Sequence, residues 1–213
     1  MSTQDEIFIA SEADRWFERN AHALEKVSEH DLAMRVVDLY GLAPKTVLEI
    51  GAANGYRVAE IARRTGARGF AVEPSPKAIA DGRRRFPGVE FHQGEARALP
   101  IDGAYDLVIV NFVLHWIDRK NLLRCVAELD RVVADGGYLL IGDFYPWHPT
   151  ANVYHHLPDA GVKTFKQDYG AIFVASELYQ PVALLTSDGH SRGASIPDDK
   201  RYGVSLLRKR LAA

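Results

Sequence analysis

Thr46-Val47-Leu48-Glu49-Ile50 is an apolar run of strand length, and Gly51-Ala52-Ala53-Asn54-Gly55 follows it without a break. Beyond the loop, Val58, Ile61 and Ala62 recur at helical spacing, so the order is strand, tight loop, helix. An α/β protein brings backbone close to a nucleotide-like ligand at such a junction, because glycine has no Cβ to block the approach. Ala53 stands where a G-x-G-x-x-G fingerprint has its middle glycine. A phosphate loop needs Lys-Ser/Thr after its last glycine, and Tyr56-Arg57 stand there. Glu49, two residues before Gly51, would repel a pyrophosphate and attract an ammonium or sulfonium group. The loop therefore suits a ligand with a cationic end better than a dinucleotide.

Gly69-Phe70-Ala71-Val72-Glu73 reads as a second strand ending in an acid. Pro74, Ser75 and Pro76 break it. Ser75 can cap a helix from Lys77 to Arg85, with Pro76 at its first position. Glu73 falls about 20 residues beyond the loop, the spacing at which a strand-end acid accepts hydrogen bonds from ribose hydroxyls. The pairing of loop and acid is more specific than either half.

Val89-Glu90-Phe91-His92 gives a short third strand, followed by Gly94-Glu95-Ala96. Tyr105 to Val110 is continuous and apolar, as buried parallel strands are, and ends at Asn111-Phe112. Val113 to Ile117 leads into a helix with Leu122, Leu123, Val126, Leu129, Val132 and Val133 on one face, which Asp135-Gly136-Gly137 is expected to end. Tyr138 to Gly142 is a fifth strand. Alternating strands and helices imply a parallel sheet.

The flanks differ. Residues 1–43 read as a helical cover: Ser11 is expected to cap a helix with Trp16 and Phe17, and a second helix holds Leu32, Val36 and Val37 before Gly41 and Pro44. After residue 143 come an aromatic loop, Phe144 to His148, and a helix from about Lys166 to Ala175. Two strands, Leu178–Thr186 and Arg201–Leu207, close the chain as an antiparallel pair. Gly189, Gly193, Pro197 and Asp198 lie in the loop that joins them. The expected division is one domain over 1–213: cover 1–43, core 45–143, and acceptor loop, helix and strand pair 144–213.

The 213 residues are 47% hydrophobic and 25% charged, with net charge −2, which gives no basic field for nucleic acid. Arg83-Arg84-Arg85 and Arg208-Lys209-Arg210 read as solvated element ends. One cysteine, Cys125, excludes an intramolecular disulfide and reads as a packed thiol. No run has transmembrane length and residues 1–6 lack a signal-peptide pattern, so a cytoplasmic protein without membrane attachment is expected. His148, His155 and His156 match no metal-ligand template, and no metal is expected. A monomer or a homodimer fits equally.

Four motifs in order resemble the class I S-adenosylmethionine-dependent methyltransferases: Glu49 to Gly55, then Glu73, then Gly94-Glu95-Ala96 before Leu99-Pro100, then Tyr105-Asp106-Leu107-Val108 with Gly136-Gly137 beyond. The resemblance covers residues 45–143. It implies a single Rossmann-like, doubly wound, mostly parallel seven-stranded sheet with a C-terminal antiparallel hairpin, and S-adenosylmethionine as cofactor. By position it implies that Gly51, Ala52, Asn54 and Gly55 border the methionine part and that Glu49 sits near its amino group. Glu73 takes the ribose hydroxyls, Pro74 lies against adenine, and Glu95 and Ala96 address the adenine edge. Asn111 and Phe112 border the methyl group.

Asn111-Phe112-Val113-Leu114-His115-Trp116 resembles the corresponding stretch of small-molecule methyltransferases rather than an Asn/Asp-Pro-Pro-Tyr/Phe signature. Phe17-Glu18-Arg19-Asn20 and Lys163 to Tyr169 resemble short bacterial enzymes of sugar and glycan biosynthesis. The acceptor expected is a small polar metabolite, methylated on O or N, such as a sugar, glycan or natural-product precursor. Trp16, Arg19, Trp116, Tyr145, Trp147 and His148 are its candidate contacts and His115 the candidate base. A protein or RNA methyltransferase and a cofactor-binding subunit without chemistry stay open as alternatives. A nicotinamide dehydrogenase is disfavoured by Glu49 and the missing glycine.

Overall fold

The computed structural model describes residues 3–188 and 196–211. Seven strands form one sheet in the order β3-β2-β1-β4-β5-β9-β8. They are β1 Thr46–Ile50, β2 Arg68–Glu73, β3 Val89–Gln93, β4 Tyr105–Asn111, β5 Val133–Phe144, β8 Tyr179–Ser187 and β9 Tyr202–Lys209. β1 pairs in parallel with β2 and β4, and β4 with β5. β9 enters antiparallel between β5 and β8, with Leu140 opposite Leu206. The reversed closing pair and mostly parallel core match the sequence reading. Gly189 and Gly193 lie outside the described residues.

Because successive side chains alternate, each central strand feeds two cores. Leu48, Ile50, Val108, Val110, Leu139 and Ile141 pack with Cys125, Leu129 and Val132 of α6 (Leu122–Val132) and with Phe173 of α7 (Gly170–Ala175). Val47, Leu107, Ile109 and Leu140 face the other way. They meet Val36 of α3 (Leu32–Leu39), Val58 and Ile61 of α4 (Tyr56–Thr65) and Ile79 of α5 (Pro76–Arg85). Burial on both faces explains the unbroken apolar runs. Ser75 caps α5 as expected, its Oγ accepting from Ala78 N at 3.1 Å.

Three local expectations need correction. Ser11 caps nothing: helix α1 (Gln4–Ile7) starts at Thr3 in a capping box with Glu6, and a π-helical turn (Phe8–Glu12) joins it to α2 (Ala13–Asn20). The Ser11 hydroxyl instead donates to Ile7 O. Helix α6 ends at Val132, and β5 already begins at Val133, because Val133 pairs with Tyr105 across a register shift. Lys166 does not start a helix. It closes β7 (Lys163–Lys166), which pairs with β6 (Thr150–Val153) as a separate antiparallel ribbon, and α7 begins only at Gly170. β6 is exposed throughout, so no alternation marks it in the sequence. Among the described residues no helix is long and apolar enough to cross a membrane.

Asp106 fixes where β1 enters the sheet. Its Oδ2 accepts from Lys45 N at 2.8 Å, Thr46 N at 2.9 Å and Thr46 Oγ1 at 3.1 Å. Asp106→Ala should lower unfolding free energy by about 1.5–3 kcal/mol, the scale for hydrogen bonds to a charged acceptor. Asp38→Ala, which removes a surface pair with Arg64, should change it by less than about 1 kcal/mol. Urea denaturation of both variants checks the contrast.

Candidate functional site

The chain runs from β1 outward through β2 to β3, then crosses to β4 on the other side of β1. Loops leaving β1 and β4 diverge there and open a crevice at the carboxyl ends of the strands. A cavity of about 830 Å³ occupies it, within the range of small-molecule sites.

The β1–α4 loop forms its floor. Gly51 N and Ala52 N both donate to Val72 O, at 2.8 and 3.3 Å. Gly51 has φ +68°, and a Cβ there would lie 2.3 Å from Val113 Cγ2. Ala53 holds φ +51°, uncommon for a residue with a Cβ. Its methyl packs with Phe17, Leu24 and Ala78, which accommodates the departure from glycine. Ala53 N donates to Glu73 Oε2 at 2.8 Å, so the loop and the second-strand acid are one unit. Glu73 Oε1 accepts from Ser75 N at 2.9 Å. Burial raises the Glu73 carboxyl to about 7, against the pull of these two amides.

Of the residues expected around a cofactor, Gly51, Ala52, Glu73, Pro74, Glu95, Ala96, Asn111 and Phe112 line this cavity. Glu49, Asn54 and Gly55 are not among its lining residues. Alternation along β1 puts Glu49 on the same face as Val47, turned toward α4. There its carboxylate contacts the Arg57 guanidinium, and Arg57 Nε and Nη2 donate to Asp31 Oδ2 at 3.1 and 3.0 Å. Burial raises the Glu49 carboxyl and Arg57 opposes the rise. Asn54 is fully buried and its amide donates to Leu24 O and Asp81 Oδ2. Gly55 is a left-handed residue that starts α4, with no room for a Cβ against Phe91.

At the β4 end, Phe112 N donates to Gly142 O at 2.7 Å. His115 sits on a 3₁₀ turn (Leu114–Trp116), is 7% exposed, and lines the cavity. Asp143, on β5, holds it twice: His115 N donates to Asp143 Oδ2 at 3.1 Å, and Nδ1 lies 2.9 Å from Oδ1. The Nδ1 contact falls outside hydrogen-bond alignment.

Of the acceptor candidates, Trp16 and Trp116 line the cavity. Arg19 does not. It is engaged by Glu12 and by Tyr154 Oη at 3.2 Å, and so ties the N-terminal cover to the β6–β7 ribbon. Tyr145, Trp147 and His148 also lie outside it. Tyr145 N donates to Arg201 O and Trp147 N to Asp198 Oδ1, which turns the chain after Phe144 away from the crevice. Trp147 is 62% exposed beneath the Arg201 guanidinium. Sequence reasoning missed Tyr56, Arg57, Lys166 and Tyr202 in the lining. Arg57 had a signal, since it precedes Ile61 by four residues and so shares the apolar face of α4. Cys125 is a buried core residue, and burial raises its thiol to about 12. Among the described residues no cluster of three or more His, Cys, Asp or Glu side chains is placed to hold a metal ion.

Residues 47–137 match the model of a methyltransferase domain family. Over 112 residues the chain is 32% identical to a demethylmenaquinone methyltransferase of Renibacterium salmoninarum, 47% of this chain and 46% of that protein. Residues 47–137, less than half of the chain, are thereby identified as a methyltransferase domain. A probable S-adenosylmethionine-dependent methyltransferase of Mycolicibacterium smegmatis is 27% identical over 205 residues, 92% of this chain and 71% of that protein. The fold is that of the Burkholderia thailandensis 1,6-didemethyltoxoflavin-N1-methyltransferase, solved with 1,6-didemethyltoxoflavin and S-adenosylhomocysteine. That match has TM-score 0.75 at 17% identity over 99% of this chain and 91% of the other. The chain spans about half the length of the demethylmenaquinone methyltransferases it matches.

Glu73 is harder to ionise in the folded chain than a free glutamate, which ionises at about 4.5. A folded pKa above the unfolded one gives stability that is present below about 4.5 and lost as pH rises through about 7. Glu73→Gln should therefore be less destabilising at pH 8 than at pH 5, by on the order of 1–3 kcal/mol. Thermal melts of both proteins at the two pH values test this. Arg57→Met, which leaves Glu49 buried without its cation, should cost about 3–5 kcal/mol in urea denaturation, with Glu49→Gln in the same chain recovering part of the loss.

Proposed function

We propose that this chain is an enzyme that binds S-adenosylmethionine at the β1–β2 side of the cavity and methylates an oxygen or nitrogen of a small acceptor at the β4–β5 side. The observation that carries the reading is the Glu73 carboxylate. Two backbone amides orient it at the cavity wall, which suits an acceptor for two vicinal hydroxyls. The Gly51 backbone, where a Cβ has no space, gives the close approach that a nucleoside needs at this junction. When bound, S-adenosylmethionine supplies a methyl on an already activated sulfonium.

The residues of this chain then have three tasks. Glu73, Pro74 and the Glu95–Ala96 segment hold the nucleoside, and Gly51 and Ala52 flank the methionine end. The cover and its ribbon exclude water: Gln4 Nε2 donates to Trp116 O and Lys163 O at 2.6 Å each, stapling α1 to both walls. His115 accepts the proton of the acceptor group, oriented by Asp143. Orientation by the cover and walls contributes most of the acceleration, because no strong nucleophile has to be generated. Glu49 supports the loop from behind through Arg57 rather than meeting the cofactor. A macromolecular acceptor has less support, since a helix and a ribbon cover the acceptor side of the cavity.

S-adenosylhomocysteine should bind in a calorimetric titration and NAD should not. Glu73→Ala should weaken S-adenosylhomocysteine by about 1–3 kcal/mol, the scale for unmaking hydrogen bonds to a charged acceptor, with the melting transition still cooperative. NAD binding without any response to the methionine nucleosides removes the reading.

A further inference from the structure

The 3₁₀ turn that carries His115 is gripped from two sides. On the sheet side, Asp143 accepts from His115 N. On the cover side, α1 holds the residues that follow. Gln4 Nε2 donates to Trp116 O at 2.6 Å and Gln4 N to Asp118 Oδ2 at 3.2 Å. Asp5 Oδ1 accepts from Asp118 N at 2.8 Å, and Asp5 Oδ2 from Asn121 Nδ2. The Trp116 ring meets Phe8 edge-on at 4.8 Å and Tyr154 at 4.4 Å. Helix α1 has four residues, too few to hold a helix alone, and Ile7 is its one apolar residue. Gln4 and Asp5 are nevertheless buried, so their bonds to residues 116–121 keep α1 folded and in place.

Asp5 also faces the other half of the cavity. Arg97 Nη1 lies 4.0 Å from Asp5 Oδ2, while Arg97 Nε donates to Glu95 Oε2 at 2.5 Å. Asp5, Glu95 and Arg97 all line the cavity. A run of charged contacts thus leads from Glu95, through Arg97 and Asp5, to the amide of Asp118, three residues beyond His115.

We propose that Gln4 and Asp5 are positioning residues for His115, and that Asp5, through Arg97, links the placement of this turn to occupation of the nucleoside side. This rests on the methyl-transfer reading, with His115 as base and Glu95 as a nucleoside contact. A ligand shifts an equilibrium only through contacts that differ between its two states. Here the two states are α1 docked on the turn and α1 released from it. A nucleoside held at Glu95 fixes that carboxylate, and Arg97 then lies between two fixed acids, one of which is on α1. With α1 released, Trp116 O and Asp118 N turn to water, and the turn keeps Asp143 but loses its other side. The base is therefore set in place when the methyl donor is present, before a proton has to leave the acceptor.

The test measures amide hydrogen exchange over residues 118–121, in the free protein and with saturating S-adenosylhomocysteine. These residues do not line the cavity, so the ligand itself cannot shield them. The ligand should slow their exchange about tenfold or more. Arg97→Gln should leave the free protein's rate within about twofold of the parent and cut the ligand effect to less than about twofold. Asp5→Ala should speed exchange about tenfold or more with the ligand present. In protein labelled with 13C-histidine, Gln4→Ala should displace the His115 imidazole signals, which a role confined to the β6–β7 ribbon would leave in place. No ligand effect at 118–121 in the parent, a full ligand effect in Arg97→Gln, or unmoved His115 signals in Gln4→Ala overturns the proposal. If Asp5→Ala melts without cooperativity, the Arg97→Gln comparison decides by itself. Failure of S-adenosylhomocysteine to bind the parent is a separate outcome, which removes the methyl-transfer reading and this one with it.

Discussion

Neighbouring parallel strands, β1 and β4, whose following connections run in opposite directions cannot close over their own carboxyl ends, and the molecule is arranged around that gap. The chain fills the sheet outward from β1 to β3 and returns to β4 on the other side. The Gly51–Gly55 loop and the Asn111–Val113 segment are therefore the two lips of a crevice. Every other device either shapes those lips or covers them. The Ala53 amide to the Glu73 carboxylate ties the first lip to β2. The Gly142 position leaves room for Asn111, since a Cβ there would meet Asn111 Oδ1 at 1.9 Å.

Two buried acids behind the lips do opposite things. Glu49 and Glu73 are both removed from water and both raised to about 7. Glu49 meets a cation that shares Asp31, so its charge is balanced inside the protein. Among the described residues Glu73 accepts hydrogen bonds from two backbone amides, and it borders the cavity. A ligand that donates hydrogen bonds can stabilise ionised Glu73 but has little to offer Glu49. The difference is one of partner rather than residue type, which is why one acid supports the loop and the other is placed to recognise a ligand.

The cover is built from polar contacts more than from apolar area. Gln4 joins α1 to the 3₁₀ turn and to β7, Asp5 accepts from Asp118 N, and Glu12 holds Tyr154 of the ribbon. Each of these three residues is buried. Such bonds are directional and lose much when misaligned, so the cover sits in one register over the cavity. The π-helical turn at Phe8–Glu12 adds a residue to the helical repeat there, and brings Glu12 to Tyr154 while Phe8 and Ile9 face the cavity.

The sequence by itself determined the sheet, its reversed closing pair, and the Gly51 and Glu73 positions at the crevice. These depend on local properties: unbroken apolar runs of strand length, glycine where φ is positive, and an acid at a strand end. It did not determine which way Glu49 points, because that follows from strand parity plus a guanidinium on a different helix. Nor did it reveal β6, whose residues are all exposed and carry no alternation, or the turn after Phe144 that removes Trp147 and His148 from the cavity. Arg19 reads as a ligand-binding cation until Glu12 and Tyr154, distant in sequence, claim it. The cavity residues Phe112, His115 and Phe144 come from two strand ends and a 3₁₀ turn. Side-chain direction and long-range pairing are set only when the sheet closes, so tertiary structure alone decided what faces the cavity.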